Sequence, residues 1–164
     1  MTTDHKAALP DRSHPAHLPV MEMGNRSNII FVTVCTEMRK EILARQECVE
    51  AIKIAWAEAS TWRIGRYVIM PNHIHMFCSP GLREFPVLKK WVTYWKSLSA
   101  GKWPYPEDGK VWQRDCWDRQ LRSGESYAEK WEYVRRNPVR AGLVGEPEGW
   151  PWQGELNVLE WHDA

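Results

Sequence analysis

The chain has 164 residues, a formal net charge of +1, 43% hydrophobic residues and 26% charged ones. That length holds one domain with a real core and is short for two, and the balance excludes wholesale disorder. No apolar run approaches the roughly 20 residues that a bilayer-spanning helix needs, and the start of the chain lacks the apolar core of a signal peptide, so a cytoplasmic protein with no membrane partner is expected. The four cysteines, Cys35, Cys48, Cys78 and Cys116, are scattered without a Cys-x-x-Cys pair, which fits reduced thiols better than a zinc ribbon or a disulfide framework. Eleven tryptophans are an unusual load; core packing is the default for most, and base stacking is the alternative for Trp112, Trp117 and Trp131. Charge is unevenly spread. From Arg83 to Arg140 there are thirteen Lys/Arg against eight Asp/Glu, and from Ala141 to Ala164 none against five, an asymmetry that suggests a polyanion-binding face on one side.

Residues Met1 to Ser27, with three prolines and no sustained periodicity, read as a mobile arm. Asn28 to Thr36 is rich in β-branched residues and reads as a central strand. Glu41 to Trp62 reads as a helix, because Ile42, Val49, Ile52, Ala55, Trp56 and Ala59 recur at three- and four-residue steps. Strands follow at Arg63–Met70 and His73–Cys78, joined at Pro71-Asn72. After the Pro80-Gly81 break, Phe85 to Leu98 reads as a second helix with Leu88, Trp91, Val92, Trp95 and Leu98 on one face and Lys89, Lys90 and Lys96 largely on the other. A loop with Pro104 and Pro106 leads to Lys110–Arg122, which should hold the last strand. The resulting βαββαβ order is α+β and ferredoxin-like (RRM-like), an antiparallel sheet with both helices on one face. A further helix opens at Ser126, three residues before Glu129 in the spacing of a capping box, and should stop at Asn137 or bend into a Pro-led turn, since Pro138 disfavours helical geometry before it.

The chemistry lies in two places. His73 and His75 are two apart on a strand, so they share a face and can present two neutral nitrogens to a divalent metal; a pair of ordinary half-buried histidines is the alternative. Tyr133 and Asn137 are four apart on the last helix and also share a face. Should that face meet the histidine strand, Asn137 would be a third ligand, and two imidazoles with an oxygen favour Mg²⁺ or Mn²⁺ with zinc still open. Tyr133 would be a nucleophile toward a phosphodiester held by the metal. Tyr133 as a core aromatic and Asn137 as a helix cap are the structural alternatives.

Met70-Pro71-Asn72-His73-Ile74-His75, followed by Tyr133-Val-Arg-Arg-Asn137-Pro138-Val139-Arg140-Ala141-Gly142-Leu143, resembles the HUH single-tyrosine transposases, and within them the REP-associated tyrosine transposase branch, over roughly Asn28 to Trp152. The resemblance implies a catalytic domain over residues 28–144 that carries its nucleophile on the additional C-terminal helix, between a 1–27 arm and an acidic, Trp-rich tail at 145–164. It implies metal-dependent cleavage and transfer of single-stranded DNA at repeat hairpins through a 5′-phosphotyrosine on Tyr133, with His73, His75 and Asn137 as metal ligands. In related insertion-sequence enzymes the last ligand is commonly Gln, and Asn137 is shorter. Arg114, Arg119, Arg122, Arg135 and Arg136 are the expected DNA contacts. A monomer associated with the nucleoid is expected, with a dimer as the other arrangement. Two rivals remain: a relative that binds DNA or RNA hairpins without cutting, and a phosphodiesterase in which water attacks.

Overall fold

A computed structural model describes residues 28–81 and 84–161; the expected N-terminal arm lies outside them. Five strands form one antiparallel sheet: β1 (Ile30–Cys35), β2 (Trp62–Ile69), β3 (His73–Pro80), β4 (Trp117–Gln120) and β5 (Gln153–Glu155). Their spatial order is β4-β1-β3-β2-β5, the ferredoxin-like arrangement with one strand added beside β2. Helices α1 (Gln46–Glu58) and α2 (Leu88–Gly101) cover one face. Alternation along β1 sends Ile30, Val32 and Val34 into that layer, where they meet Val49, Ile52, Trp56, Trp91 and Trp95. Each tryptophan edge-stacks on a neighbour, Trp56 and Trp95 at 5.8 Å and Trp95 and Trp112 at 5.5 Å between ring centroids, so the aromatic load is largely core.

Several expectations change in detail. The first helix begins at Gln46 rather than Glu41, because residues 36–45 are held as a connection that turns at Glu37–Arg39 and is pinned to its neighbours: Leu43 N–H donates to Pro71 O at 2.9 Å and Glu37 N–H to Val111 O at 2.9 Å. Lys96 is not on a solvent face. It is buried, and its ammonium donates to the carbonyls of Gln113 and Arg114 at 2.8 and 3.3 Å, which satisfies the buried charge and fixes the loop before β4. Trp112 is likewise closed to base stacking, being buried with its indole N–H on Ser99 Oγ at 3.0 Å.

The second sheet face is partly covered. Helix α3 (Tyr127–Arg135) opens with Ser126 Oγ accepting from Glu129 N–H at 3.1 Å, the expected cap. It ends before Pro138, whose ring fits the first turn of a new four-residue helix, α4 (Asn137–Arg140). Tyr127 and Val134 of α3 pack with Val68, Met70 and Phe77 of the sheet and with Trp150 and Leu159 of the tail. The tail runs back along β2, with β5 pairing to Arg66–Val68 and the Trp150 indole donating to Ile69 O at 3.0 Å. Gly65 makes this fit possible: a Cβ there would lie 2.7 Å from Leu159 Cδ1 and 2.8 Å from the Tyr127 hydroxyl. No helix among the described residues is long and apolar enough to cross a membrane, and all four cysteines are free and buried.

Candidate active site

The Pro71-Asn72 turn closes with Met70 N–H on His73 O at 2.8 Å and starts β3 on a histidine. His73 pairs across to Cys35 and His75 to Thr33 on β1, so both imidazoles stand on the face away from α1 and α2. Their ring centroids are 4.6 Å apart in an edge-on arrangement. His75 is 5% exposed and stacks on Phe31 at 5.2 Å; His73 is half-buried. Each ring is held by Nδ1: His73 to Asn72 Oδ1 at 2.7 Å and His75 to Thr33 Oγ1 at 2.8 Å. The carboxamide oxygen only accepts, so Nδ1 of His73 carries the proton and Nε2 keeps its lone pair; the Thr33 hydroxyl can accept from His75 in the same way. Burial disfavours the imidazolium, pushing His73 down to about 4 and His75 well below its ordinary value, with the Arg39 cation adding to both and His73 and Arg140 to His75. Both rings are therefore neutral at pH 7, the form that binds metals.

Helix α3 is seated on this face by Val134 and by Trp131, whose ring meets Phe77 at 6.5 Å, two residues along β3 from His75. That packing leaves Tyr133 outward and 37% exposed. The Arg140 guanidinium lies over its ring, 4.1 Å from the centroid, and the same cation acts on His75. Arg140 thus touches the tyrosine ring and acts on His75 through its charge; no hydrogen bond among the described residues joins Tyr133 or Asn137 to either imidazole. Asn137 is half-buried and its carboxamide nitrogen is buried with no partner, an orphaned position that a half-turn of the amide would fill with Oδ1. No cluster of three or more His, Cys, Asp or Glu suited to a metal occurs among the described residues. The donor types are nonetheless those a divalent cation takes: two uncharged ring nitrogens and one carboxamide whose buried nitrogen has no internal partner.

The arginines divide into two groups. Arg119 makes a bidentate pair with Glu125 at 2.9 and 3.1 Å, and Arg135 is held by Glu132 at 2.9 Å and Glu148 at 3.1 Å. Arg114, Arg122 and Arg136 are exposed. Arg39 escaped the sequence reading. It follows β1 in the turn Glu37–Arg39, with Met38 and Arg39 both at φ 54°, and its guanidinium donates to Cys35 Sγ at 3.1 Å beside His73. A left-handed pair of non-glycine residues leaves no mark in composition or periodicity.

No protein-family model matches the chain. A curated Haemophilus influenzae protein named "Putative REP-associated tyrosine transposase" is 27% identical over a 97-position alignment that covers 51% of this chain and 53% of the relative; the chain thus matches about half the length of that relative. Among solved structures, a REP-associated tyrosine transposase bound to a REP hairpin superposes with a TM-score of 0.64 at 19% identity, covering 83% of this chain and 81% of its own, and shows the same fold. A Deinococcus radiodurans transposase structure is more distant, at a TM-score of 0.48 and 16% identity over 71% of this chain and 95% of its own. The His-x-His strand and the Tyr-x-x-x-Asn helix thus lie on one sheet face of a chain that is similar in sequence, over about half its length, to a protein named as a REP-associated tyrosine transposase and that shares its fold with the hairpin-bound structure.

Proposed function

We propose that the protein cleaves and transfers single-stranded DNA beside a repeat hairpin, with Tyr133 as nucleophile. The observation that carries this reading is the pair of neutral imidazoles with Nδ1 anchored and Nε2 available, on the sheet face that α3 crosses with an exposed Tyr133. In the first step Tyr133 Oη bonds to phosphorus as the P–O3′ bond breaks; the phenol gives up its proton and the departing 3′-oxygen takes one up. A 5′-phosphotyrosine and a free 3′-OH result, and attack by a 3′-OH on the phosphotyrosine reverses the bond changes and completes transfer. His73, His75 and Asn137 would hold a divalent cation, Mg²⁺ or Mn²⁺, which when bound would polarise the phosphate and offset developing charge. Thr33 and Asn72 fix the imidazole orientations, and burial keeps both rings unprotonated.

The expected partner is a DNA hairpin with a single-stranded flank, engaged by a monomer. The test is to incubate the full chain with such a labelled hairpin and Mn²⁺ and denature. An adduct that survives denaturation and vanishes in Tyr133→Phe, while hairpin binding persists, is the expected result. Free 5′-phosphate products without an adduct would assign attack to water, and binding without any cleavage would make the protein a hairpin-binding relative.

A further inference from the structure

We infer that Arg39 and Arg140 are substrate-binding residues, two guanidinium groups that grip the DNA phosphate at the histidine pair from the β1 end and from the Tyr133 side. The inference rests on the strand-cleavage reading for its choice of anion.

Arg39 is placed by an unusual turn. The turn after β1 reverses through two consecutive left-handed residues, Met38 and Arg39, a conformation that non-glycine residues adopt only where the surroundings hold it. Here they do. Arg39 N–H donates to Thr36 O at 3.1 Å, the Thr36 hydroxyl donates to Lys40 O at 2.8 Å, and the Lys40 ammonium is fastened to the carbonyls of Asp108 and Lys110. Met38, the other residue of the pair, points into solvent at 84% exposed, so its own packing does not explain the turn. What the turn achieves is to fold Arg39 back onto Cys35, the residue paired with His73. One N–H of its guanidinium is used there, which leaves most of its donor fork unspent.

Arg45, Arg66, Arg119 and Arg135 each face a carboxylate. Arg39 and Arg140 face none among the described residues, and the groups whose charge acts on the two imidazoles are Arg39, Arg140 and the histidines themselves. A cation on two neutral rings would add positive charge to a place that already carries two uncompensated guanidinium groups. An anion would balance such a site, and a phosphodiester fits both the fork geometry of arginine and the ring contact that holds Arg140 over Tyr133 at 4.1 Å.

The test is binding of a fluorescently labelled DNA hairpin with a single-stranded flank, in EDTA, over a range of salt, by the full chain carrying Tyr133→Phe. Arg39→Gln and Arg140→Gln are each expected to weaken binding by about tenfold, as loss of a charge-assisted phosphate contact does, and to lessen the slope of log affinity against log salt by about 0.7. Lys53→Gln, on the helical face, should alter neither. Because Arg39 also holds its turn, Arg39→Lys is measured beside it: the cation without the fork should restore the salt slope. Unchanged affinity and slope in both Gln variants, or a slope that Arg39→Lys leaves reduced, would overturn the assignment. Failure of the unmodified protein to form an adduct would remove the cleavage reading while leaving these binding results to stand.

Discussion

Lowering the pH from 7.5 to 5 in the metal-free protein should destabilise it well before its carboxylates titrate, because the histidine pair is buried uncharged. Once unfolded, His73 binds its proton with an ordinary pKa of about 6.5; folded, burial and the Arg39 cation hold it at about 4. Between those values the unfolded chain binds more protons than the native one, so stability is complete above the upper value and is lost as pH falls toward the lower. Over the interval from pH 7.5 to 5 the difference amounts to about 2 kcal/mol for His73 alone. His75, shifted in the same direction, adds to it. Asp108 and Glu125 are held below their ordinary values and so act mainly beneath this window. Urea unfolding in EDTA at a series of pH values measures the loss, which at a slope of about 2 kcal/mol per M moves the midpoint by about 1 M. His73→Gln should flatten part of the dependence and the His73→Gln/His75→Gln pair most of it. A wild-type curve no steeper than that of the double variant, or a folded-state imidazole titrating near 6.5 by NMR, would show that burial does not hold the rings neutral.

Asn72→Ala and Thr33→Val should each weaken Mn²⁺ binding about 10- to 100-fold by calorimetry without unfolding the protein, since each removes the hydrogen bond that sets one ring's orientation. Trp150→Ala removes a buried indole and its bond to Ile69 O, and denaturant melts should show a loss of about 3–5 kcal/mol. Gly65→Ala drives a methyl into Leu159 and the Tyr127 hydroxyl; a cost of about 1–3 kcal/mol, with faster amide exchange in the tail, is expected.

Much of the frame is readable from residue order, for reasons that are local. Runs such as Ile29 to Val34 can do little else than form a buried strand, and the alternation through His73-Ile74-His75 places two rings on one face whatever the partner strand. The Ser126 cap and the Pro138 break mark both ends of α3 because they act within a few residues. What escaped was set by distant partners. Nothing in Gln153-Gly154-Glu155 favours a strand; it becomes one because Trp150 and Leu159 anchor either side of it against the sheet. Lys96 looks like a surface lysine until the Gln113 and Arg114 carbonyls are brought to it. The candidate site divides the same way. His73, His75, Tyr133 and Asn137 could be proposed by spacing, whereas the contacts of Thr33 and Arg39 come from strand register and from a backbone reversal that spacing does not encode.

The strand contributed by residues 153–155 ties the far end of the polypeptide to the helix bearing residue 133. Val134 is clamped in a layer whose other members include Trp150 and Leu159, so the angle at which the phenol of the neighbouring Tyr133 is presented is governed from two directions, by the sheet beneath and by the returning strap beside it. A fused tag, a proteolytic nick near 146 or a bound macromolecule gripping Leu156 and Val158 where they protrude is expected to disturb the seat of α3, and with it the Tyr133 side chain, without touching His73, His75 or Asn137.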